Sequence, residues 1–362
     1  SDTSAAPSRA AVAASRIGAV AGEDAGSRRT RGRVGGLITR VLAKLIARLY
    51  LRRPALAEAI SIRYQSLRAF LVGIGNELAY RFGLSRVAGL LSVNLELSNH
   101  CNLHCTFCPT GNGLMSRTRG HMDADVFRRA LRTAGPLEFV LLFQWGEPLL
   151  HPEFGTLARE ARASGARTLV TTNGTLLDDG RLEALMGAGL DRITISVDGD
   201  AETHERIRGV PLARTLAGLE RILAARAGLA DAPAVDVSMV VSPETESAAA
   251  AFQETWASRV DRVQQIPLLT AGTRRTRCRE PWRAGPVVLQ DGRMTVCCVD
   301  HDGELAFGDA RTEDVAAAWN GPAMRGFRRA HARGDLPPIC ARCTEYPTDA
   351  AAPRFSHPDE AS

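Results

Sequence analysis

Eight cysteines carry the most distinctive chemistry in this 362-residue sequence, and they fall into two groups. Cys101, Cys105 and Cys108 lie in the stretch LSNHCNLHCTFCPTG with the spacing C-x3-C-x2-C. The others follow after a long interval and are Cys278, Cys297, Cys298, Cys340 and Cys343. Disulfide frameworks are typical of small secreted chains, whereas this chain is not small and shows no recognisable secretory signal. Metal ligation in a reducing compartment, the cytoplasm, is therefore the better interpretation.

The first group has three cysteines, whereas tetrahedral metal sites usually have four ligands. A zinc site would need a fourth ligand, which His100 or His104 could supply. Three thiolates at this spacing can instead hold three irons of a cubane iron–sulfur cluster, and the fourth iron then stays open for another ligand. Because catalytic metal sites keep an open position, the missing fourth cysteine favours catalysis.

The second group contains a complete ligand set. Its expected members could bind every iron of a cluster, or a structural zinc ion, and are Cys278, Cys297, Cys340 and Cys343. On a strand, Cys298 points opposite Cys297, so the two cannot easily bind the same cluster. The spacing favours Cys297 as the ligand. Cys298 is then either a hydrogen-atom donor or a buried small hydrophobic residue.

Six short apolar runs, separated by helical stretches, form the framework that must position these residues. They cover residues 90–97, 138–145, 167–173, 191–198, 234–241 and 260–269. Strands that alternate with helices indicate βαβ units and a parallel sheet. We therefore predict an α/β fold, a partial (β/α)6 TIM-like barrel over residues 91–270, with its active site at the carboxyl ends of the strands.

After residue 270 the pattern changes, and residues 271–349 are predicted to form a small metal-stapled module. VVLQDGRMTVCC predicts a β-hairpin with a two-residue turn at Asp291-Gly292. TEDVAAAWN and PAMRGFRRAHARG predict two helices. The first has Thr312 as its expected N-cap, and the second ends before Gly334.

The N-terminal quarter of the chain is basic. Residues 1–90 hold fifteen basic against five acidic residues. We predict a disordered tail at residues 1–35, a basic helical extension at residues 36–90 and a C-terminal tail at residues 350–362. In this extension, residues 36–50 form an amphipathic helix that could pack on the enzyme or make peripheral contact with an anionic membrane. Aromatic residues are only 5%, which argues against nucleic-acid binding, and no apolar run is long enough to span a membrane.

Polar residues mark the ends of the predicted strands. Gln144-Trp145-Gly146-Glu147-Pro148 ends the second strand, and TTNGT (171–175) ends the third. In the fourth strand, Thr194, Ser196 and Asp198 share one face, opposite the apolar Ile193, Ile195 and Val197. A barrel strand with one polar face is unusual unless that face lines a ligand site.

These motifs resemble those of the radical S-adenosylmethionine enzymes, over about residues 91–345. The resemblance lies in the cysteine spacing, in the aromatic Phe107 before the third cysteine, and in the Gly146-Glu147-Pro148 tripeptide. It implies a [4Fe–4S] cluster on Cys101, Cys105 and Cys108 whose open iron binds S-adenosylmethionine. The resemblance further implies the other cofactor-binding residues: Gly146, Glu147 and Pro148 at the methionine amine, Ser196 and Asp198 near the ribose, Arg208 at the methionine carboxylate, and Asn173.

The second cysteine group is similar to the twitch domain, a shortened relative of the SPASM domain. This resemblance implies an auxiliary [4Fe–4S] cluster, and the spacing is similar to that of a radical dehydrogenase of aminoglycoside assembly. The expected activity is hydrogen abstraction by a 5′-deoxyadenosyl radical from an alcohol of a sugar, cyclitol or related natural-product intermediate. The auxiliary cluster would accept an electron, and a flavodoxin- or ferredoxin-type reductant would supply one.

Three alternatives stay open at this stage. An epimerase would use Cys298 as its hydrogen-atom donor, and a maturase would act on a ribosomal peptide. A non-catalytic zinc or iron–sulfur scaffold would do neither. The sequence singles out no general base, since His151 and His204 are as consistent with surface positions as with catalysis.

Overall fold

The computed structural model describes residues 66–268, 277–283 and 285–343. The predicted tails and the amphipathic helix at residues 36–50 lie outside the described residues. The described residues from 76 onward belong to one compact unit, and residues 66–75 belong to a second unit. Within the described ranges, no helix is long and apolar enough to cross a membrane.

Six parallel strands form the barrel part of the sheet, and each lies inside the apolar run that predicted it. Their bounds are β1 (Ser92–Leu95), β2 (Phe139–Leu141), β3 (Arg167–Thr172), β4 (Arg192–Ser196), β5 (Ala234–Val241) and β6 (Arg262–Pro267). Each strand pairs in parallel with the next along the chain. The sheet does not close, so the predicted α/β fold with a partial barrel is confirmed.

Helices follow the strands in the order that βαβ units require. Their bounds are α1 (Leu67–Arg81), α2 (Ala124–Ala134), α3 (Phe154–Ala163), α4 (Asp179–Met186), α5 (Ala201–Arg208), α6 (Leu212–Arg226) and α7 (Ala249–Trp256). Asp123, Asp178 and Asp200 precede α2, α4 and α5, and their carboxylates accept backbone N–H bonds from the first turn. These N-caps explain where the three helices begin.

Strands β4 and β5 each have one apolar and one polar face. On β4, the side chains of Ile193 and Ile195 are completely buried in the core between the sheet and the helices. Thr194 and Ser196 alternate with them and so point to the other, concave face. In β5, Asp236 and Ser238 pair in register with these two residues, which continues the polar surface across the sheet.

The C-terminal module extends the same sheet. Its strands are β7 (Val287–Val288), β8 (Arg293–Thr295) and β9 (Gly308–Asp309), and its helices are α8 (Glu280–Arg283), α9 (Val315–Trp319), α10 (Pro322–Arg333) and α11 (Pro338–Ala341). Strand β7 pairs in parallel with β1, whereas β8 and β9 add to it in antiparallel order. The first barrel strand therefore lies next to the module.

Two local predictions in the module are wrong. The hairpin has a three-residue loop instead of a two-residue turn, because Leu289 N–H donates to the Arg293 carbonyl (2.9 Å). Gly292, the last residue of this loop, has a positive φ of 90°. The N-cap of α9 is Asp314 instead of Thr312. Thr312 N–H is used in the preceding turn, where it donates to the Asp309 carbonyl. The predicted end of α10 before Gly334 is confirmed.

A buried ion pair joins the barrel to the module. Glu96 follows β1, and its carboxylate receives both terminal nitrogens of Arg117, at 2.7 and 2.9 Å. Gln290, in the hairpin loop, donates its backbone N–H to Glu96 (3.1 Å), and its side-chain carbonyl accepts from Arg117. Because neither charged side chain reaches solvent to any extent, each depends on the other for its charge balance.

We predict that Arg117→Met lowers the free energy of unfolding by about 3–5 kcal/mol, because it leaves the Glu96 carboxylate buried without its counter-ion. Arg128→Met is the matched control, since Arg128 makes a bidentate pair with Glu160 at a partly exposed site. Solvent screens such exposed pairs, so the control should lose much less stability. Urea unfolding followed by circular dichroism measures both, and equal losses would contradict the assignment.

Candidate active site

The three-cysteine loop folds back on the carboxyl end of the barrel. Cys105 is buried, and its carbonyl accepts the Cys108 N–H (3.2 Å). Thr106 N–H donates to the carbonyl of Ile207 in α5 (2.9 Å), which ties the loop to the helix after β4. Leu103 and Val210 pack with all three cysteines in a separate apolar cluster. The loop therefore presents its thiols to one side.

Two glycines allow this loop to lie close to its neighbours. A Cβ on Gly146 would lie 2.1 Å from the Ser98 carbonyl oxygen and 2.7 Å from that of His100. One on Gly111 would lie 2.4 Å from the Cys105 nitrogen. Real Cβ contacts do not reach such distances, so both positions require glycine. The tripeptide at 146–148 is thus in backbone contact with the residues before Cys101.

Glu147 uses its carboxylate to join the second and third strand ends. It accepts hydrogen bonds from Leu149 N–H (3.1 Å), the Thr172 hydroxyl (2.7 Å) and Asn173 N–H (2.8 Å). Burial raises the pKa of Glu147, and these donors oppose that rise. Burial also raises the pKa of Cys101 to about 12, and the nearby Glu147 adds to it. The predicted amine-binding element therefore lies beside the first cysteine.

An amide network that sequence reasoning missed holds the cysteine loop to β3. Asn173 Nδ2 donates to Asn102 Oδ1 (2.9 Å), and Asn102 Nδ2 donates to the Thr175 hydroxyl (2.8 Å). Thr175 N–H returns a bond to Asn173 Oδ1 (2.9 Å). Asn102 lies between two cysteines, and a polar residue at that position, together with the polar end of β3, was the available signal. Asn173, predicted near the cofactor, thus contacts the loop directly.

Asp198 and Arg208 form an ion pair at the end of β4. Arg208 Nε lies 2.7 Å from Asp198 Oδ2, and Val240 N–H donates to Asp198 Oδ1 (2.8 Å). Burial raises the pKa of Cys105, whereas the charge of Arg208 lowers it, so the pair lies beside the cysteine loop. Ser196 is half-buried on the polar face of the same strand. The structure therefore gathers Ser196, Asp198 and Arg208 at one edge of the sheet, beside the loop whose sequence includes Phe107.

The second group of cysteines surrounds a small apolar cavity. The lining residues are Cys278, Cys297, Cys340 and Cys343, with Val299, Leu305 and Ile339. Burial raises the pKa of Cys297 well above its usual value, and the neighbouring thiols add to the effect. Cys298 is not part of this lining. Its carbonyl accepts instead from Gln144 Nε2 (2.9 Å) and Trp145 Nε1 (2.8 Å).

Both thiol sets suit iron–sulfur clusters. No disulfide joins any two of the eight cysteines, all of which lie within the described residues. Over those same ranges, no three His, Cys, Asp or Glu side chains converge closely enough to hold a single metal ion. A cubane cluster does not need such convergence, because each thiolate binds a different iron. The second cavity has apolar walls, and the surroundings of a cluster are one means by which proteins tune it.

Two histidines that we considered for surface positions are instead buried. His151 bonds to the Met122 carbonyl (2.8 Å) and accepts Glu153 N–H (3.0 Å), so both ring nitrogens are used. His204 is completely buried; its Nδ1 accepts Asp198 N–H (3.2 Å), and its Nε2 bonds to the Thr215 hydroxyl (3.3 Å). These hydrogen bonds explain why both histidines are buried, and they indicate a structural role for each side chain.

Comparison with known families agrees with this geometry. Residues 95–254 match the Radical SAM superfamily, and residues 278–344 match the SPASM family, described as an iron–sulfur cluster-binding domain. The first match contains the three-cysteine loop, and the second contains all the cysteines around the cavity. Two [4Fe–4S] clusters and S-adenosylmethionine are the cofactors that these domains imply, as the sequence predicted.

Individual relatives are similar over limited regions. The chain is 38% identical to the AdoMet-dependent heme synthase of Methanosarcina barkeri over 129 residues, 34% of this chain and 37% of that protein. It is 35% identical to the PqqA peptide cyclase of Xanthomonas euvesicatoria over 121 residues, 33% of this chain and 32% of that protein. The match thus spans about a third of each relative. The crystal structure of Streptococcus suis SuiB bound to precursor peptide SuiA shares the fold, with a TM-score of 0.53, 14% identity and 70% of each chain covered.

We predict that Gly146→Ala lowers the free energy of unfolding by about 1–3 kcal/mol and lowers the iron content, because the added methyl group displaces the Ser98–His100 backbone. Gly120→Ala is the control, since a Cβ there meets nothing closer than Gln290 Cγ at 4.0 Å. Urea unfolding and iron analysis after anaerobic reconstitution measure the effect. An unchanged iron content in Gly146→Ala would contradict it.

His204 is predicted to make stability depend on pH. Burial lowers the pKa of His204 from 6.5 to about 4, and the charge of Arg208 adds to this shift. Between these two pH values, the imidazole is protonated in the unfolded chain and neutral in the folded chain. The free energy of unfolding should therefore fall by about 2 kcal/mol between pH 7 and pH 5 on account of this residue. His204→Asn, which keeps an acceptor for Asp198 N–H, should remove that part of the dependence. Urea unfolding at both pH values tests this, with the exposed His104→Asn as control; an unaltered slope in His204→Asn would refute it.

Proposed function

Because the chain belongs to the radical S-adenosylmethionine superfamily and carries an SPASM domain, we propose that it oxidises an alcohol of a sugar, a cyclitol or a related natural-product intermediate. The observation that carries this proposal is the set of four cysteines around one cavity. A cluster held by four thiolates has no open position for substrate, so it suits electron transfer better than substrate binding.

When bound, the first cluster and S-adenosylmethionine supply a 5′-deoxyadenosyl radical for hydrogen abstraction, and the second cluster supplies a one-electron acceptor. Loss of a hydrogen atom, a hydroxyl proton and one electron balances the oxidation of an alcohol to a ketone. Cys101, Cys105 and Cys108 would hold three irons of the first cluster and leave the fourth without a thiolate. Asn102 and Asn173 keep that loop fixed against β3.

The polar groups on the concave face of the sheet favour a substrate that is rich in hydroxyl groups. Thr171, Thr194 and Ser196 present hydroxyl groups there, and Ser238 continues the surface on β5. Gln264 donates to Asp236 Oδ2 (2.7 Å), which orients its side-chain amide on the same face. Hydroxyl and amide groups can each donate and accept hydrogen bonds, so they suit a ligand rich in hydroxyl groups.

The remaining partners follow from the chemistry. An external one-electron reductant of the flavodoxin or ferredoxin type would be required, because reductive cleavage of S-adenosylmethionine consumes an electron. The reducing cytoplasm is the compartment that would keep eight thiols available for cluster assembly.

Epimerisation is the second candidate, and the position of Cys298 favours it. The Cys298 carbonyl accepts hydrogen bonds from the two residues that precede Gly146, so this cysteine lies between the first site and the four-cysteine cavity, whose lining does not include it. There its thiol could return a hydrogen atom to a substrate radical. A peptide substrate is a third candidate, since one relative is a peptide cyclase.

Oxidation predicts a product that has lost two hydrogens and contains no deuterium from solvent. The test is a panel of sugars and aminocyclitols, incubated anaerobically with S-adenosylmethionine and reductant in D2O and analysed by mass spectrometry. One 5′-deoxyadenosine should form for each product. A product of unchanged composition that carries one solvent deuterium would establish epimerisation instead.

The adjacent cysteines provide a matched pair of variants. If the second cluster accepts the electron, Cys297→Ala should reduce product formation by roughly a hundredfold or more, on the scale of losing a catalytic group, while 5′-deoxyadenosine still forms. Cys298→Ala should keep most of the activity. Chromatographic quantification of both products decides the matter, and the opposite pattern, with Cys298→Ala inactive, would support the epimerase.

A further inference from the structure

Gln144 and Trp145, which precede the predicted amine-binding tripeptide, bond to one carbonyl of the C-terminal module. Gln144 Nε2 lies 2.9 Å and Trp145 Nε1 2.8 Å from the carbonyl oxygen of Cys298. A carbonyl has two lone pairs, so the two side chains together use its full accepting capacity. Neither residue belongs to the motifs that the sequence assigned to the cofactors.

The two donors are themselves fixed to the end of β1. The Gln144 side-chain carbonyl accepts from Asn94 Nδ2 (2.8 Å), which orients its amide so that the nitrogen faces Cys298. The backbone N–H of Trp145 points to Glu96 Oε1 (3.4 Å), the buried carboxylate that also pairs with Arg117. The donors therefore belong to the rigid part of the barrel.

The acceptor belongs to the ligand loop of the second cluster site. Cys297 and Val299, the residues on either side of Cys298, both line the four-cysteine cavity. A shift of the Cys298 carbonyl would therefore also move Cys297 and Val299, which line the site.

We propose that Gln144 and Trp145 are positioning residues for the auxiliary cluster: they fix the Cys297–Val299 turn relative to Gly146-Glu147-Pro148 and so keep the two cofactor sites in register. This goes beyond the proposed oxidation, because it holds for any substrate. The potential of an iron–sulfur cluster depends on hydrogen bonding, dipoles and solvent access around its ligands. Loss of either donor should therefore change the electronic properties of the second cluster.

The test uses the full chain with Cys101→Ala, Cys105→Ala and Cys108→Ala, so that only the second cluster contributes a signal. Into it are introduced Trp145→Phe, which removes the indole N–H, and Gln144→Met, which removes the amide with little change in length. Trp319→Phe is the matched control, because Trp319 is completely buried and its Nε1 has no hydrogen-bond partner among the described residues. The measurements are iron and sulfide content and an EPR-monitored redox titration.

The expected result is that Trp145→Phe and Gln144→Met each shift the midpoint potential or the EPR line shape of the second cluster, or lose it, whereas Trp319→Phe retains the parent values. Parent potential and line shape in both site variants, with full iron content, would overturn the proposal. So would the same change in Trp319→Phe, because the effect would then reflect a general loss of packing.

Discussion

The carboxylate of Glu96 is the junction on which both parts of the molecule depend. It is completely buried and receives four donors: two from Arg117, the backbone N–H of Gln290 and, at longer range, that of Trp145. A buried charge is tolerated only when its partners are in place. One side chain at the end of β1 therefore fixes the segment after the cysteine loop, the hairpin of the module and the approach to Gly146.

Side chains alternate between the two faces of a strand, so the residues that form the core and the residues that line the site lie on opposite faces. In β4 and β5, one face packs its aliphatic side chains on the helices, and the other leaves hydroxyl and carboxylate groups on the concave surface. Loops at the carboxyl ends can then carry cysteines without contributing to the main core, as the separate cluster around Leu103 and Val210 shows. This arrangement lets a rigid sheet support a site whose ligands all lie in loops.

Local patterns predicted the strands, the polar face of β4 and the end of α10, because each depends on residues close in sequence. The three-residue hairpin loop and the Asp314 cap were missed since backbone pairing, and not residue preference, decides them. The Asn102–Asn173 network and the bonds to the Cys298 carbonyl join residues 71 and about 150 positions apart. No spacing rule connects such residues, so only the folded chain reveals them.

Two iron–sulfur clusters on separate cysteine sets, the first with an open iron, would explain both groups of cysteines. Anaerobic analysis of iron and acid-labile sulfide measures them. We expect about eight irons and eight sulfides per chain, and about four of each, with no cleavage of S-adenosylmethionine, once Cys101, Cys105 and Cys108 are replaced by alanine. Zinc in place of iron, without sulfide, would contradict this explanation.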